Sequence, residues 1–582
     1  MRKTAAWLVR QALEQIGVRY TFGIPGVHNI ELYDELKESE SILPLLVTHE
    51  VGAAFMADAV SRVSDSIGVL VVVPAAGLTH AMSGIGEAFL DGVPMLVISG
   101  GVRNDMQQGF QLHDVDQQAL MRPLTKATFR IESYDEVVPT VYRAYRKAIE
   151  GEPGPVYIEL PANLQLLTGE VAAPEPFGGV PGGPAVDPAA IEAAVQLLTQ
   201  AEKPGIFVGW GARFVSEDIR RMAEHLGAPV ATTLQGLAAF PADHPLHTGM
   251  GFGPSSVPAA QNAFRGCDAM LAVGTRFAEI CTGSYGAVPP EKLVHIDINP
   301  GALGRNHPTP VAIHADSRDA VPALADALLS AGEARDSQAL VDSIATDKHK
   351  WLDEWLAHDS GERVNPGHFF KALRARLNED AIVVADDGNH TFLTAELLPI
   401  PQGGNYLSPT DFNCMGYCVP GCIGAKLAQP ERQVVGIVGD GAFLMTGLEA
   451  VTAVKNGLGV AWFVFNDGEL SQIAQAQEMP YQRKTCTTVG TLDYQAFAAA
   501  TGCEFVAIHD NEAVDRGIGR AVEWIERGRP VVIDVRIDYS KATQFTLGTV
   551  KTNVRRFDTR SKLRIVGRAL WRKMKNRGSR PE

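Results

Sequence analysis

Short apolar runs that stop abruptly at glycine, proline or a polar cluster recur along the whole 582-residue chain. GVLVVV (68–73), PMLVISG (94–100) and GPVYIELP (154–161) form a first set, with the helix-like stretch THAMSGIGEAFLDG between the first two. KPGIFVGWGA, APVATT, AMLAVGTRF and KLVHIDINP form a second set; AIVVADDGNH, QVVGIVGDGAF, VAWFVFNDGEL and PVVIDVRID form a third. Apolar runs of this length, bounded by turn residues and alternating with helical stretches, are the pattern of strands buried on both faces of a parallel sheet. The pattern predicts an α/β protein of three doubly wound parallel-sheet domains, at residues 1–170, 188–335 and 365–545. Residues 171–187, VAAPEPFGGVPGGPAVD, are rich in proline and glycine and lack periodicity, so they read as a linker. The helical stretch SQALVDSIATDKHKWLDEWLAH falls within 336–364 and connects the second domain to the third, and 546–582 is a basic tail.

Charge sharpens that last boundary. The whole chain carries a formal −15, but residues 551–582 hold twelve Lys and Arg against two acids, a net of +10, which leaves −15 − 10 = −25 for the rest. An acidic body of this kind gives no bulk attraction to nucleic acid. The first residues, MRKTAAWLVRQALEQIGV, are too often charged for a secretory signal, and no apolar run reaches the ~20 residues that span a bilayer. With seven scattered cysteines, the expectation is a cytoplasmic protein with free thiols. Cys414, Cys418 and Cys422 fall at i, i+4 and i+8, which admits a thiolate metal site or, more simply, small residues packed in a helix interface.

The third domain contains the most informative pair of motifs. Gly439-Asp440-Gly441 ends one apolar run, and after 24 residues Asn466-Asp467 ends the next. A helix between them makes a βαβ unit, so both acidic positions belong at one sheet edge, where ligands of parallel sheets sit. Gly-Asp-Gly turns tightly into a helix whose first amides can hold phosphate. Two carboxylates with amide or carbonyl oxygens suit Mg²⁺ or Ca²⁺ together with phosphate oxygens. Alone, Gly-Asp-Gly is an ordinary strand-to-helix turn and Asn-Asp a capping signal; the pair at this spacing is far more specific.

This pair resembles the thiamin-diphosphate motif of the acetolactate synthase and pyruvate oxidase superfamily. The resemblance extends over residues 4–543 through FGIPGVHNIELYDEL, THEVGAAFMADAVSR, GFQLHDVDQQALMRPLTKA, EPGPVYIELP, GTRFAEICTG, HIDINP and GYCVPGCIGAKLA, in the family's order. It implies a pyrimidine-binding domain at 1–170, a central domain, and a diphosphate-binding domain at 365–545. It implies thiamin diphosphate and Mg²⁺, the metal held by Asp440, Asp467 and the backbone carbonyl of Glu469. Asp467 departs mildly from the asparagine usual at its position. Gly439, Gly441, Ala442 and Phe443 flank the metal motif, and Asn389 and His390 stand where relatives contact the diphosphate. Met415 corresponds to the apolar residue that wedges the cofactor into its bent form, and the backbone of Asn413 to the aminopyrimidine contact. Glu50 matches the catalytic carboxylate that shifts the aminopyrimidine tautomer; read by itself, it is a first-turn helix charge. The resemblance also implies a homodimer or tetramer in which Glu50 and the diphosphate site come from different subunits.

Hints to the substrate conflict. Pro74-Ala75-Ala76-Gly77 stands where synthases often have Ser-Gly-Pro-Gly, and Ala476 stands where they commonly carry an aromatic residue, with Gln472 and Ile473 lining the pocket. Gly26 and the Phe110-Gln111 pair complete the expected pocket, and His113 is either an acid/base group or a solvated loop histidine. A 2-oxo acid is the expected substrate; a 2-hydroxyacyl-CoA or simple decarboxylation is the alternative. From another class, a non-catalytic scaffold is the rival, against which the joint presence of Glu50, Asp440 and Asp467 weighs. GTRF fits a flavin-holding central domain, but no flavin-contacting stretch is recognisable in GMGFGPSS, so the balance is against FAD. In the tail, Leu563, Val566, Leu570 and Met574 share one helical face beside Trp571, and Arg564, Arg568, Arg572 and Lys575 occupy the rest. That suits a helix on an anionic membrane surface, a cover over the active site, a phosphate clamp for a CoA substrate, or a solvated basic terminus.

Overall fold

The computed structural model describes residues 1–401 and 405–576; the side chains of Leu570 and Lys575 lie outside those described. Three six-stranded sheets, parallel throughout, are each built from one of the sets of apolar runs. In the first the strands run 43–46, 20–23, 68–72, 95–101, 155–161, 127–130 across the sheet. In the third they run 405–407, 382–385, 434–439, 461–465, 531–535, 504–508. Numbered within each domain both orders are 2-1-3-4-6-5, whereas the central sheet (247–250, 230–232, 204–208, 269–273, 292–297, 311–314) is 3-2-1-4-5-6. Every central strand residue of 68–72, 269–273, 461–465 and 531–535 is buried, as expected where helices cover both faces.

The first and third domains share one core. Helix Glu50–Val63 lies against helix Cys418–Ala428, and Phe55, Met56 and Ala57 pack in the same cluster as Tyr417, Cys418 and Ile423. The approach is close enough that a Cβ on Gly424 would stand 2.4 Å from the Met56 carbonyl oxygen, so only glycine fits there. Inside this interface Arg62 is buried and paired with Asp58 (2.6 Å) and Asp91 (2.9 Å), while the Tyr417 hydroxyl donates to Asp58 at 2.6 Å. Cys418 and Cys422 both abut Gly436 inside the core, whereas Cys414 precedes the helix and donates to the Ser83 carbonyl. The three sulfurs therefore serve packing.

One side chain of the central domain reaches both other domains. Arg276, from the GTRF turn, pairs with Glu152 of the first domain (2.8 Å) and Asp411 of the third (2.6 Å), and donates to the Leu90 carbonyl. Segment 171–187 contains no helix or strand, and helix Gln338–Leu356 spans the expected connection. The tail begins as a folded helix, Gln544–Arg556. Glu396 accepts the amides of Gln544 and Phe545 at its start, Phe545 stacks on Phe392 at 3.9 Å, and Asn553 and Arg556 bond to Ser284 and Tyr285 of the central domain. A second helix, Thr559–Asn576, lies against helix Ser471–Tyr481. Arg568 donates to the Pro480 carbonyl (3.3 Å) with its guanidinium over the Tyr481 ring, and Arg572 donates to the Tyr481 carbonyl (2.9 Å). Leu563, Val566, Trp571 and Met574 face outward, each more than half exposed.

Candidate functional site

In a sheet ordered 2-1-3-4, the crevice between strands 1 and 3 is the place where the connections diverge and ligands enter. In the third domain those strands end at Ala385 and Gly439, and the crevice receives Asp386–His390 from one side and Asp440–Phe443 from the other. Strand 461–465 ends beside them and delivers Asn466 and Asp467. The alternation of the strand then separates the two roles of that pair. Asn466 turns away and donates to Asp534 at 2.9 Å, while Asp467 is directed to Ser471 and to the Glu469 amide. Asp440 accepts from the Gly468 amide at 2.8 Å and the Gly441 amide at 2.7 Å, which ties the two loops together. Burial, with the charge of Asp440 adding to it, pushes the Asp467 carboxyl up to about 6, and burial raises Asp440 as well. Two like carboxylates enclosed together are under electrostatic stress that a divalent cation relieves.

His390 closes the floor of this crevice. Its ring occupies the space beside Gly388 and Gly439, where a Cβ on either would meet ring atoms at 2.6 to 3.0 Å. Burial drives it down to about 3, so it is neutral, and its Nε2 is buried with no partner among the described residues. A buried polar atom without a partner costs free energy unless a ligand satisfies it. Adjacent Asn389 opens the helix Asn389–Leu397 and donates to Gln475. The paired carboxylates, the orphaned imidazole nitrogen and the first amides of the helix Asp440–Thr446 together fit a cation with a diphosphate.

The loop bearing Asn413 and Met415 is held by two carboxylates that sequence reasoning missed. Asp386 accepts the amides of Gly416 and Cys418, both at 2.8 Å, and burial lifts it to about 7. Glu87, in the first domain's helix Ala76–Leu90, accepts those of Thr410 and Cys414; burial next to Asp91 raises it well above the ordinary range. Asn413 sits at φ 65°, and Met415 lies within 4 Å of where a Cβ on Gly441 would be. Ala442 and Phe443 are buried in the core behind the site.

The first domain's edge carries the rest. Glu50 opens helix Glu50–Val63 and is 7% exposed; its Oε2 lies 3.1 Å from His80 Nδ1, and His49 stacks on His80. A Cβ on Gly77 would come 3.1 Å from Glu50 Oε1, so the glycine after Ala76 leaves the carboxylate room. Glu449, in the 3-10 turn Gly447–Glu449 that follows the Gly-Asp-Gly helix, accepts the amides of Thr48 and His49, both at 3.0 Å, and so fixes the turn before Glu50. Asp440 begins the helix Asp440–Thr446 and Glu449 ends the 3-10 turn that follows, so within one chain Glu50 and the acidic pair stand at opposite ends of that segment. Gly26 bonds Asn29, Ala76 is exposed at its helix start, and the preceding Ala75 holds φ 56° with its amide on Gln117. Phe110 is fully exposed at φ 60°, Gln111 donates to the Arg103 carbonyl, and His113, at φ 68°, faces His28. On the third domain, Gln472 is half-buried while Ile473 and Ala476 are exposed on the outer side of the helix that the tail covers. Asp386 and His28 lie within the motif stretches and Glu87, Glu449 and His80 outside the assigned positions; the partners of all five reveal their part in the site.

Comparison with known proteins adds a family. Residues 3–120 match the thiamine pyrophosphate enzyme N-terminal TPP binding domain, 191–324 the central domain and 386–535 the C-terminal TPP binding domain. The chain is 31% identical over 546 residues to the acetolactate synthase large subunit of Corynebacterium glutamicum, covering 92% of this chain and 86% of that protein. It is 31% identical over 548 residues to a probable acetolactate synthase large subunit of Methanocaldococcus jannaschii, covering 91% of each. With acetolactate synthase isozyme 1 large subunit of Escherichia coli it shares 29% over 543 residues, covering 92% and 94%.

Proposed function

Because the chain belongs to the thiamine pyrophosphate enzyme family, a thiamin-diphosphate-dependent carboligase by its relatives, we propose that it decarboxylates a pyruvate-like 2-oxo acid and transfers the acyl unit. Thiamin diphosphate, when bound, supplies the nucleophilic carbon and the electron sink for carbon–carbon cleavage. In this reading Asp440, Asp467 and the Glu469 carbonyl hold Mg²⁺, and the helix amides after Gly439 with His390 and Asn389 receive the diphosphate. The Glu469 carboxylate is engaged with Lys484 at 2.7 Å, which leaves the backbone of that residue for the metal. Met415 and the Asn413 backbone position the organic part. Glu50 exchanges a proton with the aminopyrimidine through its buried carboxyl. The observation that carries the proposal is the enclosed Asp440–Asp467 pair beside the unpartnered His390 nitrogen at the sheet's switch point.

A second copy of the chain completes the site in this reading. Leu444, Met445, Leu448 and Val451 form an exposed apolar stripe on the segment separating Asp440 from Glu449, and Phe110 stands wholly exposed by the Glu50 edge. Burying such a stripe is the ordinary drive for a homodimer. The central domain is proposed to work without FAD, its Arg276 serving the domain joints; an absorption spectrum of the purified protein checks this. Among the described residues no helix is long and apolar enough to cross a membrane. The outward apolar face of Thr559–Asn576 supports peripheral binding to anionic lipid, for which flotation with phosphatidylglycerol vesicles is the test.

The deciding assay supplies Mg²⁺ and thiamin diphosphate with pyruvate, longer 2-oxo acids or a 2-hydroxyacyl-CoA, and follows CO₂ and products by NMR. An acyl-transfer product from a 2-oxo acid, absent with Glu50→Ala, supports the proposal. Cleavage of the CoA ester alone would replace it, an outcome that the exposed Ala476 and the Pro74–Gly77 loop keep in view. Cofactor binding with no turnover on any substrate would favour a scaffold.

A further inference from the structure

His28 and His113 lie 85 residues apart in sequence, yet their Nδ1 atoms stand 3.3 Å from each other, with ring centroids at 5.0 Å. Both are half-buried at the carboxyl edge of the first sheet. The arrangement is built from both sides. The His28 carbonyl accepts from Gln165 at 2.8 Å and packs on Gly100, where a Cβ would stand 2.2 Å from it. His113 is held at φ 68°, a left-handed conformation costly for a histidine and kept only where the surroundings enforce it. Of the nine non-glycine residues at positive φ among the described residues, four (Ala75, Phe110, His113 and Asn413) belong to the candidate site, so the strain gathers there.

An Nδ1–Nδ1 hydrogen bond makes the two tautomers interdependent. Whichever ring donates keeps its proton on Nδ1 and, when neutral, a bare Nε2; the accepting ring must carry its proton on Nε2. A neutral couple therefore always offers one donor and one acceptor outward. A second net proton is resisted, because burial first and the neighbouring His113 next lower His28 below the ordinary histidine range. Glu31, on the helix that follows, opposes this. The other groups packed on His28, Gly100 and Gln165, are uncharged, and Asp114 and Asp116 flank His113 along its loop.

Two residues before His28, Gly26 packs on Val73, and Val73 packs on Gly77, which faces Glu50. The couple thus sits along the wall that leads to the proposed catalytic carboxylate. We propose that His28 and His113 act as one proton-sharing unit that supplies the proton each turnover takes up. The inference rests on the 2-oxo-acid reading above. In carboligation, two 2-oxo acid anions and one proton give one hydroxy-oxo acid anion and CO₂. The bond to the carboxylate breaks, the new carbon–carbon bond forms, and the proton ends on the acceptor's carbonyl oxygen. In simple decarboxylation one anion and one proton give an aldehyde and CO₂, and the proton ends on carbon. In both cases the couple acts in its singly protonated form, with Nε2–H on both rings: one ring gives its Nε2 proton, which leaves the neutral pair, and the couple regains a proton from solvent.

The test uses the full-length holoenzyme and the variants His28→Gln, His113→Gln and His113→Ala. We expect kcat to fall about a hundredfold in either glutamine variant, the low end for a lost general acid, with thiamin diphosphate affinity by calorimetry unchanged. The pH profile of kcat should lose a limb, and added imidazole should restore part of the His113→Ala activity. Variants within twofold of wild type at every pH would overturn the proposal. A second readout needs no turnover: in the wild-type protein with ¹³C-labelled histidine, the two rings should titrate in linked steps. Two independent single-step curves would overturn it, and this decides the matter if a variant fails to fold. Absence of any thiamin-dependent turnover by the wild type would instead fail the function proposed above, leaving the titration to judge the couple separately.

Discussion

The first and third domains share the strand order 2-1-3-4-6-5, yet they arm the same edge in opposite ways. At the crevice between strands 1 and 3, the third domain gathers acids, the buried Asp386 and Asp440 and the half-buried Asp387, with Asp467 one strand over and a neutral His390 among them. The first domain places Gly26, Ala76 and Gly77 in the corresponding crevice, small and apolar, and brings the buried carboxylate of Glu50 in from strand 2 beside His80. In the proposed function, one scaffold thus makes a socket for charge and a slot for a ring. The topology decides where a ligand goes, and the loop residues decide which part of it.

The largest effect that separates the two edges is expected from Glu50→Ala. Turnover should fall by about 10²–10⁴-fold, the range for a positioned proton-transfer group, while calorimetric binding of thiamin diphosphate with Mg²⁺ persists. Asp440→Ala should do the reverse and abolish binding itself. If both variants lost binding equally, the division of labour between the domains would be wrong.

The joint between the domains comes next. Asp58→Ala leaves Arg62 buried with one partner fewer and strands the Tyr417 hydroxyl, and breaking a buried pair in this way costs about 3–5 kcal/mol. Urea unfolding should show that loss. Tyr417→Phe removes only the hydrogen bond to Asp58 and should cost about 1.5–3 kcal/mol, the range for bonds to a charged group. A larger loss in the phenylalanine variant than in Asp58→Ala would mean that the buried first-domain ion pair behind the Tyr417 contact contributes little to the joint.

The smallest effect is a slope. Asp386 has a folded value of about 7 against an ordinary 3.8, because burial outweighs the backbone amides it accepts. Between those values the native state holds a proton that the unfolded chain has released, so this group's contribution to stability is greatest at low pH and is lost as pH rises through 7. Thermal melting of the cofactor-free protein between pH 5 and 8 should slope downward from this source. In Asp386→Asn the slope should flatten, with a lower overall Tm because an amide oxygen cannot accept all of those N–H groups. An unchanged slope would assign the pH dependence elsewhere.

Much of this was legible in the sequence. Strands buried on both faces read as unbroken apolar runs, and each run ended at the polar residue that the parallel sheet carries to its edge, so Asp440 and Asp467 could be paired from spacing alone. The three-domain division followed from the same runs and the proline-rich segment between them. Tertiary structure decided what spacing cannot encode. Glu87 and Glu449 read as ordinary helix charges until their burial shows them accepting amides from another domain. The resemblance singles out Asp467 of its pair, and what spacing cannot encode is that the turn of the strand end gives Asn466 to Asp534. The tail's amphipathic pattern was plain, but which face it presents was settled by Arg568 and Arg572 finding the carbonyls of Pro480 and Tyr481. His28 and His113 carried no shared signal, because a sequence records local periodicity and turn chemistry, whereas contact across 85 residues is set by how sheets and loops close in space.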